Sequence, residues 1–128
     1  MKASTVEWVE KAEGDWKIAQ RAYRARKDPV YDVACFLCHQ CAEKYLKARL
    51  NEAGTAFPKT HDLRDLLKLV LLVEVGWTVL RRQLVALNRY AVRFRYPGRT
   101  ATKANAQKAI KDCREVRRFI RTAFGLPV

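Results

Sequence analysis

The sequence predicts an all-α fold, a bundle of about five helices. Two observations predict this fold class. Apolar residues recur at intervals of three and four along most of the chain, which is the period of a helix with one buried face. Only 5 of the 128 residues are glycine and 4 are proline, too few for a protein rich in strands and turns. This length predicts one domain, residues 1–128, with a core that needs no disulfides.

The first helix is expected from about Thr5 to about Arg26. Ser4, followed three residues later by Glu7, has the pattern of a capping box, in which the two side chains bond to backbone N–H groups of the first turn. The apolar residues of this helix have helical spacing and are Trp8, Val9, Ala12, Trp16, Ala19 and Tyr23.

The second helix is expected from about Val30 to Glu52. Asp28-Pro29 ends the first helix and opens this one, because aspartate supplies an acceptor for a free N–H and proline presets φ. Gly54 is expected to stop it. Its apolar residues cover more than one face, which predicts a central helix with neighbours on two sides. They are Val33, Ala34, Phe36, Leu37, Cys38, Cys41, Ala42, Tyr45, Leu46 and Ala48.

Two shorter helices are expected next. Thr60, His61 and Asp62 form a capping cluster ahead of a short third helix with an apolar stripe of Leu63, Leu66, Leu67 and Val70. The chain should turn at residues 74–76. The fourth helix should end before Pro97-Gly98. Its apolar stripe consists of Trp77, Leu80, Leu84, Leu87 and Tyr90 or Ala91.

The fifth helix, expected from about Thr102 to Phe124 and stopped by Gly125, separates apolar from cationic residues. The apolar half of its helical wheel holds Ala106, Ala109, Ile110, Cys113, Val116, Ile120 and Ala123. The other half holds Lys108, Lys111, Arg114, Arg117, Arg118 and Arg121. This arrangement predicts a basic face, with Lys111, Arg114, Arg118 and Arg121 as its candidate contacts.

The net charge of +13 is concentrated near the end of the chain. Residues 1–80 hold 13 Lys and Arg against 11 Asp and Glu, whereas residues 81–128 hold 13 against 2, so the net charges are +2 and +11. This asymmetry favours an anionic partner, with a merely solvated basic surface as the alternative. No apolar run is long enough to span a bilayer, and no signal peptide is present, so we expect a soluble cytoplasmic protein without membrane contact.

Several kinds of site are not expected. Three of the four cysteines, Cys35, Cys38 and Cys41, lie three residues apart on one predicted helix, where they fan around the axis. They predict core thiols rather than disulfides or a zinc site, so no metal or other cofactor is expected. Ser4 is the single serine and is assigned to a cap, and no P-loop or dinucleotide-binding glycine pattern occurs.

Three stretches together resemble the HEPN family (higher eukaryotes and prokaryotes nucleotide-binding domain). They are CHQCAEKYLKA at residues 38–48, THDL at 60–63 and RFRYP at 93–97. The resemblance extends from about Trp8 to Phe124. It implies an up-and-down helical bundle that forms a homodimer, often paired with a small nucleotidyltransferase in a module of toxin–antitoxin type.

Many members of the family are metal-independent ribonucleases with an Arg, a His after four to six residues, and a Tyr two beyond. No Arg stands at that spacing before either histidine of this chain, His39 or His61. The nearest match is Arg89, Phe94 and Tyr96, with phenylalanine in the histidine position. A phenyl ring cannot transfer a proton, so ribonuclease activity by the family's usual route is not expected.

The leading hypothesis is binding of nucleotide or RNA phosphate, together with a nucleotidyltransferase partner. Candidate contacts combine cationic groups with a ring that can stack on a base. They are Arg93, Arg95 and Tyr96, then Arg89, Lys44, Lys47 and His61. The alternatives are that His61 caps a helix, that Glu43 and Lys47 form an ion pair, and that Tyr96-Pro97 only packs a turn. Two other functions remain open: a ribonuclease that uses the arginines and Tyr96, and a module whose cationic face docks an acidic protein.

Overall fold

Five α-helices and two short 3-10 segments make up the computed structural model, which describes all residues 1–128. The α-helices are α1 (Ala3–Arg24), α2 (Tyr31–Glu52), α3 (Leu63–Leu71), α4 (Arg81–Asn88) and α5 (Lys103–Ala123). The 3-10 segments are Val75–Leu80, which leads into α4, and Arg89–Ala91, which follows it. No strand is present, so the predicted all-α class is confirmed.

Helix α2 is the central element, as its apolar pattern predicts. It packs against α1, α3, α4 and α5, and its side chains are buried on most sides. Leu46 and Leu50 are fully buried within one continuous apolar core. All four cysteines lie in this core as unbridged thiols, and no group of metal-ligating side chains is arranged to hold an ion.

The glycine stops at the ends of α2 and α5 are confirmed. Gly54 and Gly125 have φ of +70° and +71°, values that glycine adopts without a Cβ penalty. The amide that follows each glycine reaches back into the last turn: Thr55 N–H donates to the Leu50 carbonyl and Leu126 N–H to the Arg121 carbonyl, at 2.9 and 2.8 Å. Both helices therefore end in a Schellman motif.

Two predicted caps at the other helix ends are wrong. Lys2, not Ser4, is the N-cap of α1, and the Ser4 hydroxyl instead accepts a hydrogen bond from the Asn51 side chain of α2, at 2.8 Å. Val30, not Asp28, is the N-cap of α2. Asp28 has φ of +52°, so this residue bends the chain between α1 and α2 and does not cap the second helix.

The region expected to form one fourth helix is divided. A 3-10 segment precedes α4 and a second one follows it. In the first segment Trp77 and Leu80 are three residues apart, and the tighter helix places both in the core. The cap of α3 is as expected, since the Asp62 carboxylate accepts the Arg64 N–H at 2.9 Å. None of the helices combines the length and the apolar character needed to cross a bilayer.

Candidate functional site

The connection between α4 and α5 carries a run of exposed arginines, which we call the arginine segment (residues 89–99). Its arginines are Arg89, Arg93, Arg95 and Arg99. None of the four guanidinium groups lies within 4.0 Å of a carboxylate oxygen, although nine ion pairs, six of them with an arginine, occur elsewhere in the molecule. The segment therefore presents positive charge that the protein itself does not neutralise.

Aromatic rings hold the arginine segment against the bundle. Tyr90 is buried and stacks on Phe94, with centroids 5.8 Å apart. The Arg93 guanidinium lies 6.0 Å from the Phe94 centroid, and that of Arg95 lies 4.9 Å from the Phe36 centroid on α2. These contacts orient the guanidinium groups, and Arg95 also donates to the Ala91 carbonyl at 3.4 Å. The Tyr96 ring is 64% exposed, so it does not pack the turn.

A polar cluster on α2 joins His61 to a buried carboxylate. The Glu43 side chain, only 4% exposed, accepts a hydrogen bond from His61 Nδ1 at 2.7 Å and pairs with Lys47 Nζ at 3.2 Å. The buried His39 ring donates from Nε2 to the His61 carbonyl at 2.8 Å. His61 is therefore held through both its backbone and its ring, whereas the ring itself is 70% exposed and leaves Nε2 free.

Of the candidate contacts Lys44, Lys47 and His61, only the last two lie together, since both bind Glu43. Lys44 Nζ instead pairs with Asp15 of α1, at 2.5 Å. Lys47 is buried, and its Nζ lies 5.7 Å from the Trp8 centroid and 5.8 Å from the Phe57 centroid. The expected Glu43–Lys47 ion pair is present. Both lysine charges are thus balanced within the protein.

The predicted basic face of α5 is divided between the surface and the interior. Lys111 and Arg118 are exposed, and Arg114 is half-buried over the Trp16 ring. Arg121 does not belong to an exposed face: its side chain is 13% exposed and donates to the Pro127 carbonyl and the Tyr45 hydroxyl. The reason is Glu13 of α1, a carboxylate on the opposing helix that attracts this end of α5.

The comparison with protein families identifies this architecture. A model of the HEPN domain matches residues 5–123, nearly the whole chain. The chain belongs to the HEPN family. Among solved structures, the crystal structure of an archaeal HEPN homologue matches with a TM-score of 0.73 and 23% identity, covering 96% of this chain and 98% of that chain. This likeness confirms the fold, and no match was found among curated proteins.

In this HEPN domain, Phe94 occupies the position that the family's ribonuclease motif gives to histidine. Its ring is half-buried between Tyr90 and Arg93 and serves as packing for the arginine segment. The one exposed imidazole of the chain is that of His61, just before the N-cap of α3. Asn88, at the end of α4 and directly before the arginine segment, connects that segment to the start of α3. Its amide accepts the Leu63 N–H at 2.8 Å and donates to Asp62 at 3.2 Å.

Two site features of this HEPN domain escape sequence reasoning. The helical spacing of Glu43 and Lys47 identified their ion pair, but nothing in the sequence showed that Glu43 also orients His61 from 18 residues away. The contact of Phe36 with Arg95 was also missed. A partial signal existed for Phe36, since α2 has more apolar residues than one buried face requires.

Proposed function

We propose that this HEPN domain binds RNA or nucleotide phosphate through the arginine segment. The observation that supports the proposal is the set of four guanidinium groups without a carboxylate partner beside the exposed Tyr96 ring. Guanidinium groups match phosphate oxygens with paired N–H donors, and a tyrosine ring stacks on a base. The combination suits a ligand that carries both groups.

Arg93, Arg95 and Tyr96 are the principal contacts in this proposal, and Arg89 extends the phosphate surface. Lys44 and Lys47 contribute less, because Asp15 and Glu43 already neutralise them. Exposed Lys111 and Arg118 on α5 add long-range attraction for a polyanion.

Assembly as a homodimer, in a module with a nucleotidyltransferase, belongs to the same proposal. Support for an association surface comes from apolar side chains that the monomer leaves in water: Leu72, Val75 and Val79 are 81%, 76% and 63% exposed. Sedimentation of the purified protein would report the oligomer, and co-purification would report the partner. Recovery of an acidic protein in place of nucleic acid would favour the protein-docking function instead.

The double variant Arg93→Ala, Arg95→Ala tests the binding proposal. Its affinity for a fluorescent RNA oligonucleotide, measured by anisotropy, is expected to fall by about tenfold or more at low salt. The slope of log affinity against log salt should become shallower by about 0.7 for each phosphate of a single strand that the variant no longer neutralises. Both arginines are exposed, so the fold should be retained.

The matched control is Lys59→Ala, Lys68→Ala, which removes two exposed charges that lie outside the arginine segment and have no ion-pair partner. This variant should bind RNA as the wild type does. Equal losses of affinity in the two variants would show that binding depends only on the net charge of the protein. Salt-insensitive or absent RNA binding by the wild type would exclude the proposed function.

A second candidate function is metal-independent RNA cleavage, which the His61–Glu43 pair favours. A buried carboxylate that binds Nδ1 fixes the tautomer and leaves Nε2 as an exposed proton acceptor. Such a pair can serve as a general base. The neighbouring Arg89, reached through Asn88, supplies positive charge near the same surface.

Cleavage of a labelled RNA in the presence of a metal chelator tests this candidate. If His61 is the base, His61→Ala should lower the cleavage rate by about a hundredfold or more. The Lys59→Ala variant, altered two residues away, should cleave normally, and Tyr96→Phe reports whether the phenol takes part. Wild-type protein that leaves RNA intact, or a His61→Ala variant with unchanged rate, would eliminate the candidate.

A further inference from the structure

A second cationic surface lies in a groove between the end of α1 and the first half of α5. The groove has a volume of about 500 Å³ and is lined by Tyr23 of α1 and by Lys108, Lys111 and Arg114 of α5. The three cationic residues follow one another at intervals of three along α5, and all three line the groove. We call this feature the α1–α5 groove.

The positive charge of the α1–α5 groove is not balanced by the protein. None of Lys108, Lys111 and Arg114 takes part in any of the nine ion pairs. Asp112, which follows Lys111, is 2% exposed and pairs with Arg82 of α4. The Arg114 guanidinium is held over the Trp16 ring at 5.7 Å, so its position is fixed without a carboxylate.

The groove and the arginine segment meet at one end of the bundle. Ala101, which links that segment to α5, donates its N–H to the Asp32 carboxylate in the first turn of α2, at 2.6 Å. Tyr31, also in that turn, packs on Tyr23 of the groove with ring centroids 6.2 Å apart. Asp32 therefore binds the chain between the two basic surfaces, through the Ala101 amide.

More exposed cations surround this end of the bundle. They are Arg24 at the end of α1, Arg26 and Lys27 between α1 and α2, Arg99 at the end of the arginine segment, and Lys103 at the start of α5. None of these five side chains has an ion-pair partner. The acidic residues nearby in sequence are Asp28 and Asp32, and Asp32 is occupied by the Ala101 amide. Most of the charged side chains at this end of the bundle, between the arginine segment and the groove, are therefore cationic.

We infer that the ligand is a single nucleic-acid strand that runs from the arginine segment into the α1–α5 groove. Lys108, Lys111 and Arg114 contact its phosphates there, and the Tyr23 ring offers a surface on which a base can stack. From Lys103 to Arg114 the helix rises about 16 Å, the length of roughly five stacked nucleotides. A mononucleotide could occupy one surface but not both. This inference rests on the proposed phosphate-binding function and adds the length of the ligand.

Two single-stranded RNAs, a trinucleotide and an oligonucleotide of about 15 nucleotides, distinguish the two surfaces in a binding measurement. For Lys108→Ala, Lys111→Ala, we expect several-fold weaker binding of the long RNA and unchanged binding of the trinucleotide. Its salt slope with the long RNA should be shallower by about 1.4, or about 0.7 for each lysine removed. Both lysines are exposed on α5, and alanine favours the helix, so the fold should persist.

The arginine and control variants separate failure of this inference from failure of the proposed function. The double variant Arg93→Ala, Arg95→Ala should bind both RNAs more weakly than the wild type does. The control Lys59→Ala, Lys68→Ala should bind both RNAs as the wild type does. If the groove variant binds the long RNA like the control while the arginine variant remains defective, the groove is not a binding surface and the proposed function stands. Wild-type protein that binds neither RNA in a salt-dependent way would overturn both.

Discussion

Replacing Glu13 with alanine is expected to lower the free energy of unfolding by about 3 kcal/mol, because two guanidinium groups and a phenol lose a shared partner. The Glu13 carboxylate of α1 accepts two hydrogen bonds from Arg117 of α5, each 2.7 Å, and one from the Tyr45 hydroxyl of α2, 2.5 Å. Arg121 lies 3.7 Å away. The two arginine side chains are only 13% exposed, so water cannot fully replace the carboxylate.

Chemical denaturation monitored by circular dichroism would measure this change. Glu10→Ala is the matched control, since Glu10 is exposed on the same helix and has no ion-pair partner, and it should cost well under 1 kcal/mol. Equal stabilities of the Glu13 and Glu10 variants would show that the three-helix cluster contributes little. The stability of Glu13→Gln should lie between those of the Glu13→Ala and Glu10→Ala variants, because an amide keeps the shape and one acceptor but loses the charge.

The same carboxylate should make the fold sensitive to acid. Burial raises the pKa of Glu13, but the hydrogen bonds from Arg117 and Tyr45 and the charges of Arg117 and Arg121 outweigh it, so the pKa is lower than the ordinary 4.5. A carboxylate with a lowered folded-state pKa stabilises the fold above its unfolded value. That contribution is lost as the pH falls through the lower value.

The fold could be predicted from the sequence where the signal is local and strong. A helix period, a glycine after the last turn and an aspartate before Leu63 each act within a few residues, so α2, α3 and α5 were placed well. Asp28 failed because it adopts a positive φ in the bend before α2, and Ser4 failed because a short polar side chain can serve either a helix end or a tertiary contact. The Ser4 hydroxyl accepts a hydrogen bond from Asn51, 47 residues away, and a local sequence pattern cannot predict such a distant contact.

The candidate site divides in the same way. An arginine segment with no acidic residue from 89 to 99 has no carboxylate of its own to neutralise it, so its free charge could be read from the sequence. The helical wheel of α5 could not show that Arg117 and Arg121 turn toward Glu13, because that carboxylate is 104 residues from Arg117. A count of charges predicts a basic region, whereas the pairing that decides which charges remain free depends on helix packing.

The pairing of charges also explains why the excess gathers on one part of the surface. Carboxylates of α1 and α2 are used to hold neighbouring helices: Glu13 binds α5, Asp15 binds Lys44, and Asp32 binds the Ala101 amide. These acids are therefore not free to pair with the arginine segment or the α1–α5 groove. The contacts that stabilise the bundle and the charges proposed to bind phosphate thus follow from one distribution of acidic residues.

The stability of the fold should also fall between about pH 7.5 and about pH 5.5, because protonated His39 is disfavoured in the core. Burial lowers the pKa of His39 below the usual 6.5, and the hydrogen bonds with the His61 carbonyl and Gln40 and the charge of Glu43 only partly oppose this. The unfolded chain therefore binds a proton that the folded protein excludes. The stability present above pH 6.5 is lost as the pH falls toward the lower folded-state value, by up to about 1.4 kcal/mol per pH unit.

His39→Gln isolates this effect, since an amide can still donate to the His61 carbonyl but does not titrate. The variant should be less stable than the wild type at the higher pH, and its free energy of unfolding should change less across the interval. His61→Gln is the control, because it keeps His39 and hence the dependence that His39 produces. Urea unfolding at each pH decides the matter: a wild type and a His39→Gln variant with equal slopes would show that another group carries the acid sensitivity.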